Sequence, residues 1–286
     1  MWHMLGGIVV LVLALSMAAG KSERQDKPDT PTARYQLLLK DYQDAAEAFS
    51  KASAAANTDE ERAKLIRPWN QFVPRFLRLA EKYPRDPVAV DALVWVVDNT
   101  SDGTDGKDDA RAKAIAILLR DHIQSRKLGP VCTRLAAGYA KESETFLCAL
   151  LEKNPHKDVQ GLACLALAQF LNKRLRLLDR MKDGPEIAPE YESLLGKVYL
   201  GQLQRQDRAK LVKEVETLFE QAAEKYGDVK SPWEIGAKAK MELFKLRFLA
   251  VGKEAPEIEG EDQEGTKFKL SDYRGKVVLL DFWRET

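Results

Sequence analysis

Three cysteines are the residues of this chain best suited to covalent chemistry: Cys132, Cys148 and Cys164. They lie sixteen residues apart in turn, so no pair has the two-residue gap of a redox or zinc-binding C-x-x-C motif. Their neighbours are mostly apolar, which predicts small buried thiols on helices. One disulfide with a third thiol left over is the alternative, which an oxidising compartment would permit.

Metal, cofactor and nucleic-acid chemistry has little support in the residues. His122 and His156 have no cysteine or histidine partner at ligand spacing, so we predict no metal site and no cofactor. The 45 Lys and Arg residues balance the 44 Asp and Glu residues to a net charge of +1, which argues against nucleic-acid binding. The basic stretches 173–176 and 205–208 are interpreted as solvated faces, with a binding patch as the alternative.

The first 31 residues have the composition of a targeting segment and a tether. Residues 2–20 contain no Lys, Arg, Asp or Glu, and an apolar run at 8–15 is followed by small residues. This pattern predicts a cleaved signal peptide. No Lys or Arg precedes the run, so an uncleaved membrane anchor remains an alternative, and a buried helix of a cytosolic protein is another. Residues 21–31 are too polar to be ordered by burial and are predicted to be a flexible linker.

The middle of the chain carries apolar residues at helical spacing. Thr30 and Pro31 suit the N-cap and first turn of a long helix, and Thr58 with Glu61 forms a capping box for a second one. Pro68 and Pro74 are expected to kink or split that second helix. Further helices are predicted near 87–98, 110–123, 130–140, 143–153, 155–181, 189–200, 208–226 and 232–249.

A weak repeat accompanies these helices. The segments 80–84, 151–155 and 223–227 each contain Glu-Lys and lie 71 and 72 residues apart, about twice the length of a helical-hairpin repeat. The pattern predicts stacked helical hairpins, weakly tetratricopeptide-like. The alternative is that Glu-Lys simply ends many amphipathic helices.

After residue 249 the pattern changes from helical to extended. A turn at 263–265 separates two extended segments, which predicts a hairpin with its returning strand at 266–270. A tight polar connection at 271–276 leads into the apolar run 277–283. Such a run is typical of a strand covered on both faces of its sheet.

The order VGKEAPEIEGEDQEGTKFKLSDYRGKVVLLDFW over residues 251–283 resembles the N-terminal part of redoxin domains. This group holds the AhpC/TSA proteins and the TlpA/ResA-type exported thiol-disulfide oxidoreductases, and the ending Phe-Trp favours the second branch. The resemblance implies a thioredoxin-like fold. It marks scaffold positions that shape turns or pack the strand: Pro256, Gly265, Tyr273, Gly275, Phe282 and Trp283.

The resemblance also implies where the chemistry of such a domain resides. In TlpA-like proteins a C-x-x-C motif follows Phe-Trp after a short spacer, at the N-terminus of a helix that stabilises the reactive thiolate. Here Trp283 is followed by Arg284, Glu285 and Thr286, so no catalytic position can be assigned. We expect that a frameshift or premature stop removed the continuation; packing of the apolar run on the helical part, or aggregation, are the alternatives.

Together these observations predict a mainly α fold followed by an incomplete thioredoxin-like α/β segment. The regions are a signal peptide or anchor (1–20), a linker (21–31), an α-helical domain (32–250) and a redoxin fragment (251–286). The predicted function is that of an exported periplasmic or cell-envelope redoxin, a thiol-disulfide oxidoreductase or peroxidase relative that is inactive over these residues.

The alternative is a helical-repeat interaction protein of the envelope with a degenerate redoxin tail. In either case a protein partner would bind the helical domain, and the membrane would be contacted only through an uncleaved N-terminal segment. No residue constellation supports an active site within the helices.

Overall fold

The computed structural model describes residues 30–100, 110–229, 234–250, 252–262 and 264–281. The predicted signal peptide or anchor lies outside these residues, as do most of the linker, Phe282 and Trp283. Helices account for most of the described chain, and two short strands lie near its C-terminal end. The predicted mainly α fold class is confirmed.

Twelve α-helices are present in the described ranges. Their bounds are α1 Pro31–Ala55, α2 Asp59–Ala63, α3 Pro68–Lys82, α4 Pro87–Asp98, α5 Ala110–Asp121, α6 Gly129–Ala136, α7 Lys141–Lys153, α8 Lys157–Asp183, α9 Ala188–Leu195, α10 Lys197–Gln204, α11 Arg208–Glu224 and α12 Ile235–Phe248.

Side-chain caps begin several of these helices where the sequence predicted them. The Thr30 hydroxyl accepts a hydrogen bond from the Ala33 amide at 3.1 Å, and Asp86 accepts one from Val88 at 2.9 Å. Thr58 and Glu61 form the predicted capping box at the start of α2. Each cap satisfies an amide that has no partner within its own helix, which defines the first residue of the helix.

The two prolines predicted to interrupt the second helix behave differently. Pro68 occupies the first turn of α3, after a break that follows α2 at Ala63. Proline suits that position because its missing N–H has no helical partner there. Pro74 lies inside α3, which continues to Lys82, so the predicted split occurs before Pro68 and not at Pro74.

The long helix α8 forms the centre of the helical part, and α6, α7 and α11 all pack against it. Most of its residues from Val159 to Leu177 are buried. Neighbours along the chain are also neighbours in space, since α3 packs on α4, α4 on α5, and α11 on α12. The main apolar core includes residues from α1 to α12, and a second, small cluster joins the end of α8 to α10 through Leu177, Met181 and Leu200.

The three Glu-Lys segments of the weak repeat all lie at the C-terminal ends of helices. They end α3 at Lys82, α7 at Lys153 and α11 at Glu224. Gly227 follows α11 in a turn, and a Cβ there would lie 2.2 Å from the Ala223 carbonyl oxygen. Only glycine therefore fits at this point.

The helix predicted at 189–200 is instead two helices, α9 and α10, separated by Gly196. Gly196 has φ 77° and ψ 143°, a conformation that residues with a Cβ adopt only under strain. Apolar periodicity continues across the break, which is why the sequence pattern alone indicated one element.

Replacing Gly196 with alanine is expected to lower the free energy of unfolding by about 1–3 kcal/mol, the usual cost of such a backbone conformation. Gly201, inside α10, is the matched control, because no atom lies within 4 Å of its would-be Cβ and its backbone is helical. Gly201→Ala should stabilise by about 0.5–1 kcal/mol. Urea unfolding of both variants measures the difference. Equal effects of the two substitutions on the free energy of unfolding would contradict the strained conformation assigned to Gly196.

The two strands form an antiparallel hairpin, β1 Glu259–Glu261 and β2 Lys267–Lys269. Glu259 pairs with Lys269 and Gly260 with Phe268. A 3₁₀ turn over Leu270–Tyr273 follows directly. The hairpin predicted from the sequence is confirmed.

Candidate functional site

The C-terminal segment, residues 251–286, is the part of the chain to which the sequence assigned a functional family, and its described residues form an ordered unit around the hairpin. The Phe268 ring lies against Gly260 on the opposite strand, where a Cβ would come within 3.0 Å of the ring. This contact gives the two-stranded sheet its apolar packing, because glycine leaves room for an aromatic ring across the strands.

A hydrogen-bonded turn joins the strands. The Asp262 carboxylate accepts hydrogen bonds from the amides of Glu264 at 2.9 Å and Thr266 at 2.8 Å. Gly265 has φ 80°, in the left-handed region that favours glycine. The turn that the sequence predicted at 263–265 is therefore also stabilised by Asp262, which the sequence analysis did not identify.

A second carboxylate ties the start of the segment to its 3₁₀ turn. Glu257 accepts hydrogen bonds from the backbone amides of Ser271 at 3.0 Å and Ile258 at 3.2 Å. Hydrogen bonds from Ser271, first from its side chain and then from its backbone, lower the pKa of Glu257. The carboxylate thus stays ionised and holds the extended stretch before β1 against the residues after β2.

The structure places the predicted scaffold residues as follows. Pro256 is half-buried just before β1, and Tyr273 ends the 3₁₀ turn with an exposed ring. Gly275 has φ 81° in the turn that leads to the apolar run. Phe282 and Trp283 lie outside the described residues.

The apolar run at 277–283 was predicted as a strand covered on both faces, and its described residues, 277–281, are exposed instead. Residues 277–281 have no strand pairing, and Val277 and Leu279 are 103% and 93% exposed. The two-stranded hairpin offers this run no neighbouring strand. An uncovered run of four large apolar residues is a binding or aggregation surface.

Replacing Val277 and Leu279 together with lysine is expected to reduce the binding of the dye ANS and to slow aggregation. The unfolding temperature should stay unchanged, because neither side chain contributes to a core. Val198 is the control, since it is 78% exposed in α10, away from the run. Val198→Lys should alter neither property, and a fall in stability of the double variant would contradict the exposed placement.

The three cysteines lie on three different helices of the helical part and remain free thiols. Cys132 on α6 and Cys164 on α8 are buried as predicted, whereas Cys148 on α7 is exposed, so the prediction of burial was wrong there. Cys148 lies on a face of α7 that turns away from the core, between the buried Leu147 and Leu150. Apolar sequence neighbours indicate burial only for residues on the core-facing side of the helix, and Cys148 is not on that side of α7.

Burial sets the acidity of these thiols. It raises the pKa of both Cys132 and Cys164 to about 12. Partial burial, followed by the charges of Glu144 and Glu214, also raises the pKa of Cys148. A thiol exchanges with a disulfide only as its thiolate, so all three are poor nucleophiles at neutral pH.

Sequence reasoning missed a buried polar cluster between α7, α8 and α10. Arg174 is 2% exposed, and its guanidinium lies 2.5 Å from a Glu144 carboxylate oxygen and 3.0 Å from the Tyr199 hydroxyl. Tyr199 in turn donates to the Tyr139 carbonyl at 3.2 Å. The signal for this cluster is an arginine among the apolar residues of α8. The prediction that the stretch 173–176 is solvated was wrong for Arg174.

Two kinds of site are absent from the described ranges. No three His, Cys, Asp or Glu side chains within them are grouped closely enough to hold a metal ion. None of the helices described is both long and apolar enough to cross a membrane.

Comparison with known proteins finds a family match for the C-terminal segment. Residues 251–286 match the AhpC/TSA family. We call these residues the AhpC/TSA segment. The predicted resemblance to redoxins is thereby confirmed for the segment, and with it the fold class of a mainly α chain that ends in an incomplete thioredoxin-like piece. No curated protein and no solved structure matches the chain.

Proposed function

We propose that this chain is an exported redoxin-type protein in which a helical body carries the opening of a thioredoxin-like domain of the thiol-disulfide oxidoreductase branch. The observation that carries the proposal is the AhpC/TSA match over residues 251–286. The order of hairpin, glycine turn and apolar run in the described part of the segment supports it. The Phe282-Trp283 pair favours the TlpA/ResA branch over the peroxidases.

Within these 286 residues the proposal assigns no thiol-disulfide exchange. Redoxin chemistry uses a thiolate that a helix N-terminus stabilises. Cys132 and Cys164 lie inside helices with raised pKa values, and Cys148 lies in the middle of α7 near two glutamates. The AhpC/TSA segment therefore acts as a scaffold here rather than as a source of the nucleophile.

Export rests on the N-terminal sequence pattern. A charge-free stretch over residues 2–20 that ends in small residues supports a signal peptide, followed by a polar tether. Fusing residues 1–31 to alkaline phosphatase, which is active only outside the cytoplasm, tests this directly. We expect activity in bacterial cells with the fusion and none after Leu11→Arg and Leu13→Arg are introduced, because charge abolishes the apolar run.

A chimera tests the redoxin assignment. The catalytic part of an exported redoxin domain, starting at its C-x-x-C motif, is joined after Thr286, and the reduction of insulin by dithiothreitol is measured. If the AhpC/TSA segment supplies the missing opening of a thioredoxin-like domain, the chimera should be active. Its activity should disappear when the added cysteines are replaced with serine.

The control for the chimera uses the apolar run. Leu279→Asp should abolish activity, because in a completed domain the run becomes a covered central strand in which a charge is not tolerated. Val198→Asp in α10 should leave activity intact. A folded but inactive chimera, or one that is indifferent to Leu279→Asp, would overturn the assignment.

A second candidate function is a helical interaction protein of the envelope. The observation that favours it is an exposed apolar stripe on α12, formed by Met241, Phe244, Phe248 and the following Leu249. The Phe244 and Phe248 rings lie 5.1 Å apart between their centroids and make one continuous patch. An inactive chimera would favour this candidate.

A further inference from the structure

α12 is apolar on two opposite sides. Its inner side, which includes the buried Ile235 and Ala239, packs against α11 and the main apolar core. Its outer side carries an exposed apolar row, which we call the α12 stripe and which consists of Met241, Phe244, Phe248 and Leu249. A surface helix normally has one polar side, whereas a helix that is apolar all round is normally buried. We therefore expect another surface to cover the α12 stripe.

The AhpC/TSA segment begins shortly after α12 and extends from the helical part as an arm. The hydrogen bonds and ion pairs of its described side chains join residues of the segment to one another, as in the pairs Lys269–Glu259 and Arg274–Glu254. Its two strands pair with each other, and β2 contacts the 3₁₀ turn. This arm carries the second exposed apolar surface of the chain, residues 277–280.

The helix and the arm have opposite net charges. α12 contains four Lys and Arg residues and one carboxylate, a net charge of +3. Residues 251–281 contain eight Asp and Glu and five Lys and Arg residues, a net charge of −3. Lys245 and Arg247 already have carboxylate partners, so we assign no new ion pair to them. The net charges favour the approach of an arm to α12 and disfavour the pairing of two α12 helices.

We propose that residues 277–280 of one copy of this chain cover the α12 stripe of a second copy, and that the second copy makes the same contact in return. Because the contact is reciprocal, two copies form a closed twofold dimer that covers both apolar surfaces of each. A second copy is the partner because the arm does not cover the stripe of its own chain, where Phe244 is 46% exposed and Val277 fully so.

The size of the exposed surfaces fits a weak, specific dimer. Two such contacts bury on the order of 1,500 Å² in total, the usual size of a specific interface. Ordering of the arm opposes association, so we expect a dissociation constant on the order of 10 µM. Dilute protein is then monomeric, with both surfaces exposed as the structure shows.

This inference deepens the second candidate function, because it names a second copy of the chain as the partner of the α12 stripe. It does not depend on the redoxin assignment. A monomeric chain would leave the AhpC/TSA match and the chimera experiment unaffected, and an inactive chimera would leave the dimer unaffected.

Sedimentation velocity of the 286-residue chain tests the dimer. As the protein concentration rises from about 1 to about 200 µM, the sedimentation coefficient should rise from the monomer value to the dimer value. Phe244→Glu and Leu279→Glu should each weaken dimerisation at least about tenfold, because each places a charge in both contacts. Val198→Glu is the control, since Val198 is exposed in α10, and it should change nothing. A chain that stays monomeric, or that assembles beyond the dimer, would overturn the proposal.

A mixture of the two variants shows which surfaces meet. The intact arm of the Phe244→Glu copy faces the intact stripe of the Leu279→Glu copy, so the mixture regains one of the two contacts. We expect dimers in the mixture at concentrations at which each variant alone is monomeric. If Phe244→Glu fails to fold, Phe248→Glu replaces it, because the two rings belong to one patch. Dimers of either variant alone, or none in the mixture, would refute the contact between arm and stripe.

Discussion

Replacing Glu144 with alanine is expected to lower the free energy of unfolding by about 3–5 kcal/mol, the largest loss of stability that we predict for a single substitution. Glu144 is the carboxylate that faces Arg174, which lies almost fully inside the helical core. Removing it leaves a guanidinium buried without a counter-charge. The Tyr199 hydroxyl, the other described polar contact of Arg174, cannot neutralise that charge.

Arg174→Met is the matched control. Methionine fills a similar volume with apolar atoms, and Glu144 is partly exposed and can be solvated when its partner is lost. The cost should therefore stay within about 1 kcal/mol, because replacing a buried charge with an apolar side chain is often close to neutral. Urea unfolding measures both variants. Equal losses of stability in the two variants would contradict the conclusion that Glu144 neutralises the buried charge of Arg174.

Cys132 and Cys164 should react with the thiol reagent DTNB more than about a thousandfold more slowly in the folded protein than in guanidinium chloride. Burial raises both pKa values from 9.0 to about 12, and each pKa unit lowers the fraction of thiolate about tenfold. Steric burial slows the reaction further. Cys148, at the surface of α7, should react first.

Counting thiols over time checks this order at pH 8. One thiol should be titrated promptly in the native protein and all three after unfolding, and Cys148→Ser should abolish the prompt reaction. A prompt reaction that survives Cys148→Ser would contradict the structure.

The same two buried thiols make stability depend on pH at the alkaline end. The pKa values of these thiols are higher in the folded state than in the unfolded state. Their contribution to the free energy of unfolding is therefore fully present below pH 9 and is lost as the pH rises from 9 to 12.

Local signals predicted the helices well because a helix start depends on a few adjacent residues. The Thr30 cap of α1, the Thr58 capping box and the start of α4 at Pro87 all lie where the sequence indicated them. The break at Gly196 was not predicted, because its cause is a single backbone conformation within an unbroken apolar pattern. The exposure of Cys148 was not predicted, because the composition of the neighbouring sequence does not tell which helix face a residue occupies.

The polar residues of α8 could not be interpreted from the sequence. Arg174 and Arg176 are two positions apart in one basic stretch, yet the first is buried against Glu144 and the second is exposed beside Glu242 of α12. Their surroundings depend on α7, α10 and α12, which are distant in sequence. The AhpC/TSA segment was easier to recognise from the sequence, because its turn residues and apolar run lie within one short stretch.

The reduction of insulin by dithiothreitol, followed by turbidity, tests the central claim that none of the three cysteines in these 286 residues supplies a reactive thiolate for thiol-disulfide exchange. The 286-residue protein is compared with a variant in which Cys132, Cys148 and Cys164 are all replaced with alanine. We expect both to match the rate with dithiothreitol alone. A faster rate with the unmodified protein that disappears in the variant would contradict the account.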